Sequence, residues 1–239
     1  MERLDKIISS YLNISRTDAR RLIKNAGVTI DGKIVKEASQ KADTLKQCIK
    51  FGENEIVFQK FCYIMMNKPA GVVSVSKDPE ATTVVDIVPD DLKKRGLFPA
   101  GRLDKDTVGF IILTNDGDFA HRILSPKKHI EKTYLAKIKH PLTAKEIAAF
   151  ENGILLKDGT QCMDGTIRQL TDENDVWAEI KIREGKYHQI KRMLAALDNE
   201  VLYLKRTAMG ALELDKTLKE GECRLIAEEE LEKIQIRSK

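Results

Sequence analysis

The sequence predicts an α+β protein, with a small helix-first module in front of a larger domain whose mostly antiparallel mixed sheet is flanked by helices. Three observations predict it. Helical and strand periodicities are both present, but they alternate irregularly and lack the βαβ rhythm that a parallel sheet demands. A chain of 239 residues is long enough for a small domain followed by a medium one with its own core. The pattern also changes near residues 56–61, where Glu55-Ile56-Val57-Phe58 gives way to the apolar run Phe61-Cys62-Tyr63-Ile64-Met65-Met66. That change divides the chain into residues 1–58 and 59–239.

Leu4, Ile7, Ile8, Tyr11 and Leu12 have the spacing of a helix that buries one face. Ser15 is placed to cap a second helix, Asp18 puts a carboxylate in its first turn, and Gly27 is positioned to end it. Arg16, Arg20 and Lys24 recur every fourth residue on its outer face, with Arg21 alongside. Val28-Thr29-Ile30 and Lys33-Ile34-Val35 flank Asp31-Gly32, a dipeptide suited to the tight type I′ turn of a hairpin. Beyond the boundary, strands are expected from Lys132 to Ile138, from Gly153 to Leu156, and along Val176, Ala178, Ile180 and Ile182. Thr143 and Glu146 form a capping box for a helix through Phe150. Two further helices are expected over Tyr187–Leu197 and Glu228–Ile234.

With 42% hydrophobic and 33% charged residues, the composition is that of a soluble globular protein and excludes the disordered and collagen-like classes. The N-terminus lacks the apolar core of a signal peptide and no segment approaches a bilayer span, so a cytoplasmic location without membrane association is expected. Cys48, Cys62, Cys162 and Cys223 form no CxxC pair and the four histidines do not cluster, so buried reduced thiols and no structural metal are expected. The net charge is only +4, but its distribution is uneven. Residues 1–60 hold 12 of the 41 Lys+Arg and 8 of the 37 Asp+Glu, leaving 29 of each in the rest. The whole positive excess therefore sits in the first quarter of the chain, as expected where a polyanion is bound.

Nucleotide and cofactor signatures are missing: there is no GxxxxGK[ST] loop, no GxGxxG and no GxSxG elbow. Asp104-Lys105-Asp106-Thr107-Val108-Gly109 has the outline of a calcium loop, but Val108 stands where an oxygen ligand is needed. Three segments remain. In the first, a polar loop bounded by Gly101 and Gly109 runs straight into the apolar stretch Phe110-Ile111-Ile112-Leu113, a support able to hold Asp104 at a cleft. Taken alone, Arg102 and Asp104 read equally well as a surface ion pair. In the second, Glu184-Gly185-Lys186-Tyr187-His188-Gln189-Ile190-Lys191-Arg192-Met193, a glycine turn opens a helix with three cations, which suits phosphate. The third is Glu131-Lys132-Thr133-Tyr134-Leu135, whose Tyr134 alone reads as a core aromatic.

Together these segments resemble the pseudouridine synthases, over essentially the whole chain. GRLDKDTVG matches the family's catalytic signature, KTYLA its tyrosine motif and EGKYHQIKRM its basic motif. The segments RLDKIIS and ISRTDARRLIKNAGVTIDGKIV are similar to the S-four-type RNA-binding domain, which one branch of that family carries at its N-terminus. The resemblance implies that Asp104 is the essential carboxylate, Tyr134 packs against the target base, and Lys191 pairs with the aspartate. It also implies RNA contacts from Arg16, Arg20, Lys24, Arg102, Lys186 and Arg192, and no cofactor. The reaction cleaves the bond from ribose C1′ to uracil N1, turns the base and joins C1′ to C5, so a lone carboxylate can suffice. That carboxylate can attack C1′, add to C6 or remove the 2′ proton, and the sequence leaves all three open. PAGRLD, GDFAHRILSP and HIEKTYL are nearest to the small-subunit 16S ribosomal RNA enzymes, with the 23S group as the alternative. The expected partner is ribosomal RNA, as 16S RNA or an assembling small subunit, and the expected state is a monomer. Two other classes compete with this one. A noncatalytic RNA-binding or ribosome-assembly protein accounts for the basic regions but not for the three motifs together, and a hydrolase requires a metal cluster or an activated nucleophile.

Overall fold

The computed structural model describes residues 1–25, 27–44, 46–56, 58, 60–125, 128–170 and 175–234. Val57 of the expected boundary segment and Pro126 of GDFAHRILSP lie outside the described residues. The chain forms two compact units, one of Met1–Cys62 with Lys94–Gly96 and one of Tyr63–Lys93 with Leu97–Lys239.

The first unit contains β1 (Glu2–Arg3), α1 (Leu4–Tyr11), α2 (Arg16–Asn25), β2 (Val28–Ile30), β3 (Lys33–Val35), β4 (Lys41–Ala42), β5 (Ile49–Phe51) and β6 (Asn54–Glu55). Strand β1 pairs with β4, and the other four form a sheet in the order β3-β2-β5-β6. Leu4, Ile7 and Ile8 of α1 and Ala19 and Ile23 of α2 close over Val28, Ile30 and Ile49 in one apolar core, which is what the two helical periodicities encode. Ser15 Oγ accepts the backbone N–H of Asp18 at 3.1 Å, satisfying an otherwise orphaned donor in the first turn of α2. In the β2–β3 hairpin, Asp31 and Gly32 sit at φ 51° and 78°, both in the left-handed region that a type I′ turn needs.

The second unit contains β7 (Tyr63–Lys68), β8 (Phe98–Pro99), β9 (Val108–Thr114), α3 (Gly117–Leu124), β10 (Lys132–Ile138), α4 (Ala144–Asn152), β11 (Thr166–Leu170), β12 (Val176–Ile182), α5 (Gln189–Ala196), β13 (Val201–Met209), β14 (Leu212–Glu213), β15 (Cys223–Leu225) and α6 (Glu228–Lys233). The main sheet runs β11-β12-β10-β13-β9-β7-β15, and all these neighbours are antiparallel except β13 and β9. All seven residues of β9 are buried, as expected for a central strand covered on both faces. Met65, Phe110 and Ile112 pack with Phe119, Ala120 and Ile123 of α3 in a core that Ile234 helps to close. Thr143 and Glu146 make the complete capping box on α4.

Three expectations are corrected. Gly153 to Leu156 adds no strand to the sheet. Gly153 sits at φ 79°, where it ends α4, and Leu155 forms only an isolated bridge to Gln161. Helix α5 begins at Gln189, two residues later than predicted, because His188 lies in the left-handed region at φ 47°. Cys62 and Cys162 are buried, whereas Cys48 and Cys223 are only partly covered. Among the described residues, no helix is long and apolar enough to cross a membrane.

Candidate active site

The loop between β8 and β9 carries Asp104, and its shape is set from below. Lys68, at the end of β7, is fully buried, and its ammonium donates to the carbonyls of Pro69, Lys105 and Thr107 at 3.0, 3.2 and 2.9 Å. Burial lowers its pKa to about 8, opposed by the charges of Asp106 and Asp104. Ser74 Oγ donates to the Leu103 carbonyl at 2.9 Å and accepts the Leu103 N–H at 3.1 Å. The residue on each side of Asp104 is thus pinned, leaving the carboxylate little freedom of position. The two bounding glycines have separate reasons. Gly109 stands at φ 99° where a Cβ would lie 2.3 Å from the Arg206 carbonyl on the parallel neighbour β13. Gly101, at φ 97°, would meet a side-chain carbon of Leu124 at 2.9 Å.

Asp104 opens into a pocket of about 70 Å³ lined by Leu103, Tyr134, Ile182, Ile190 and Leu204 on the apolar side and by Lys186, His188, Gln189 and Lys191 on the polar side. Its carboxylate is one quarter exposed, with Lys191 Nζ 3.5 Å from Oδ2 and His188 Nε2 3.6 Å from Oδ1. Tyr134 is buried on β10 and contributes to the pocket wall. Lys132, two residues earlier on the same face of β10, is also buried. Desolvation lowers its pKa to about 8, and the charge of Arg206 adds to the effect.

Lys191 was expected to pair with Asp104, and its Nζ lies 3.5 Å from Asp104 Oδ2 in an ion pair, while its hydrogen bonds go to Asp106, at 2.6 and 2.7 Å from the two carboxylate oxygens. The bond from Lys191 holds Asp106 below the usual carboxylate range. The loop therefore presents two carboxylates to one ammonium. The other expected residues divide between the two units. Arg102 is exposed on the pocket rim, while Lys186 pairs with Glu184 and Arg192 pairs with Asp158. In the first unit, Arg16 and Arg20 do not simply face solvent: both turn onto the fully buried carboxylate of Asp5, at 2.6 and 2.9 Å, where Arg3 joins them at 3.0 Å. Lys24 is exposed.

Asp106, His188 and Lys68 were missed by the sequence reading. The first two carried a signal: Asp106 shares a short loop with Asp104, and His188 stands three residues before Lys191, a spacing that brings side chains together. Lys68 carried none, because a lysine after an apolar strand gives no hint of burial. Among the described residues, no group of His, Cys, Asp and Glu is arranged to hold a metal ion.

A rigidly held carboxylate beside an ammonium, at a small pocket with one apolar and one polar wall, is an arrangement suited to an enzyme site. Residues 62–196 match the RNA pseudouridylate synthase family, and residues 2–44 match the S4 domain. The chain belongs to the RNA pseudouridylate synthase family: it is an RNA pseudouridine synthase, an isomerase, with an N-terminal S4 domain that binds RNA. Within the family it is 40% identical over 233 residues to ribosomal small subunit pseudouridine synthase A of Salmonella typhimurium, covering 96% of this chain and 98% of the relative. The synthase of the same name from Escherichia coli is 37% identical, with 96% and 98% covered. An uncharacterized RNA pseudouridine synthase of Bacillus subtilis is 41% identical, with 96% of each chain covered. A crystal structure of a pseudouridylate synthase superposes with a TM-score of 0.67 at 36% identity, over 98% of this chain and all of the other.

Proposed function

We propose that this enzyme converts a specific uridine of 16S ribosomal RNA to pseudouridine, with Asp104 as the reacting carboxylate, Tyr134 against the target base and Lys191 as the neighbouring cation. The observation that carries the site is the placement of Asp104. It is the carboxylate on the pinned loop that lines the pocket, with Lys191 and His188 within 3.6 Å. The small-subunit relatives at 37–40% identity over nearly the full length support the substrate.

Asp104 lines a small recessed pocket, so the target uridine must leave its stack to reach the carboxylate. Attack at C1′, addition at C6 and removal of the 2′ proton each use Asp104 as a carboxylate. The uracil ends with its C1′ bond moved from N1 to C5, the C5 proton released to solvent and a proton taken up at N1, so atoms balance without a redox partner. The domain division at 58/59 belongs to the same proposal, with residues 1–58 gripping RNA phosphates through Arg16, Arg20 and Lys24. Arg102, Lys186 and Arg192 act along the strand near the pocket.

Tritium release from C5-labelled transcripts tests this reading. Wild-type protein is expected to release tritium from 16S RNA, while Asp104→Asn, which keeps the size and removes the charge, is expected to fold and release none. Substantial turnover by the Asn variant would remove Asp104 from the chemistry, and release from 23S RNA alone would remove the 16S assignment.

A further inference from the structure

Among the described Phe, Trp and Tyr side chains only two are exposed, and Tyr187 is the more open, at 71% against 37% for Tyr11. A tyrosine left in water is common enough, but this one stands at a particular place. Its ring stacks on His188, with centroids 3.9 Å apart and planes inclined by 16°. His188 in turn lines the pocket, with Nε2 3.6 Å from Asp104. The left-handed backbone of His188 breaks the approach to α5 just there. A two-ring stack thus runs from the carboxylate outward, and the exposure of Tyr187 leaves its side away from His188 accessible. Two basic residues stand beside it: Lys186 precedes it, paired with Glu184, and Arg192, paired with Asp158, donates to its carbonyl at 3.2 Å. An aromatic face among cations fits a nucleic-acid strand, whose phosphates meet the charges while a base meets the ring. A protein partner would call for apolar surroundings.

We infer that Tyr187 is a stacking platform for the nucleobase adjacent to the flipped uridine, positioning the RNA strand at the mouth of the Asp104 pocket. The inference rests on the reading that a uridine enters that pocket. When the target base swings in, its neighbour loses one stacking partner, and the ring of Tyr187 replaces it. Stacking tolerates any base and favours large ones, so the platform fixes the position of the strand and prefers a purine over a pyrimidine.

The test pairs protein and RNA changes in one cycle. Short RNAs carrying the mapped target uridine are made intact, abasic at the preceding nucleotide, and abasic at the following one. Two further RNAs carry 2-aminopurine, one at the preceding and one at the following nucleotide. Tyr187→Ala should lower kcat/KM on intact RNA about 10- to 100-fold, the range expected for one lost base–aromatic stack. Tyr187→Phe should stay within about twofold, and neither change should move the melting temperature. With wild-type enzyme, removing one of the two neighbouring bases should cost the same factor as Tyr187→Ala, and combining the two should cost no more than either alone. Wild type should also quench 2-aminopurine at that neighbour, and Tyr187→Ala should not. The inference is overturned if the losses multiply at both neighbours, if Tyr187→Ala stays within twofold, or if Tyr187→Phe is as damaging as Ala. An inactive wild type on intact RNA would remove the 16S reading, and the quenching comparison would still decide the platform.

Discussion

Asp5 is the clearest place to test how the first unit is held together, because one buried carboxylate there answers three guanidiniums. It is fully buried and accepts from Arg3, Arg16 and Arg20 at 2.6–3.0 Å, while those side chains remain 40%, 48% and 53% exposed. Burial by itself raises its pKa, and the three charged hydrogen bonds outweigh that effect and hold it well below the usual carboxylate range. Asp5→Asn keeps the shape, removes the charge and turns an NH₂ toward cations. Breaking a buried ion pair costs about 3–5 kcal/mol. The half-exposed guanidiniums recover part of this as hydration, which sets the expected loss at about 2–3 kcal/mol. For a chain of this size unfolding in one transition, that loss lowers Tm by roughly 4–12 °C. Calorimetry at pH 7 measures it, and a pH series checks the cause. A carboxylate whose folded pKa is depressed contributes stability above its unfolded value near 3.9 and loses it as pH falls toward the folded value. The gap between wild type and Asp5→Asn should therefore narrow below about pH 4. A drop in Tm under about 1 °C, or a gap that stays constant as the acid range is entered, would refute the reasoning.

At the active site, Lys191→Met should reduce kcat/KM far more than Lys191→Arg, since Arg still spans Asp104 and Asp106 and Met leaves both unanswered. Equal losses in steady-state assays would show that charge pairing is irrelevant. Lys132 is destabilising in its charged form, because a fall in pKa from 10.5 to about 8 on folding corresponds to about 3 kcal/mol. Below pH 8 that cost is fully present, and it lifts as pH rises toward 10.5, so denaturant melts should show Lys132→Met gaining most on wild type near pH 7 and least near pH 10. A pH-independent difference would mean that the amine is not desolvated. Replacing Arg16, Arg20 and Lys24 together by Gln should flatten the dependence of RNA affinity on salt by about two to three units of log–log slope. An unchanged slope in binding titrations would show that this helix does not grip phosphates.

The sequence by itself determined the elements whose signals are local. The faces of α1 and α2 followed from apolar spacing, the β2–β3 turn from Asp31-Gly32, and the start of α4 from Thr143 and Glu146. It also brought forward Asp104, Tyr134 and Lys191, through motifs whose residue types are contiguous in the chain. Local signals failed where the outcome depended on distant partners. The reading of Gly153 to Leu156 as a strand could not foresee that the segment makes only an isolated bridge between Leu155 and Gln161, and the helical spacing from Tyr187 could not foresee the left-handed turn at His188. Only the tertiary structure decided that Lys191 answers two carboxylates, that Arg16 and Arg20 share a buried aspartate, and that Lys68 holds the Asp104 loop from beneath. The physical reason is common to all three. A charge can be buried or shared only when groups far apart in the chain converge on it, and that convergence is a property of packing, which no local pattern records.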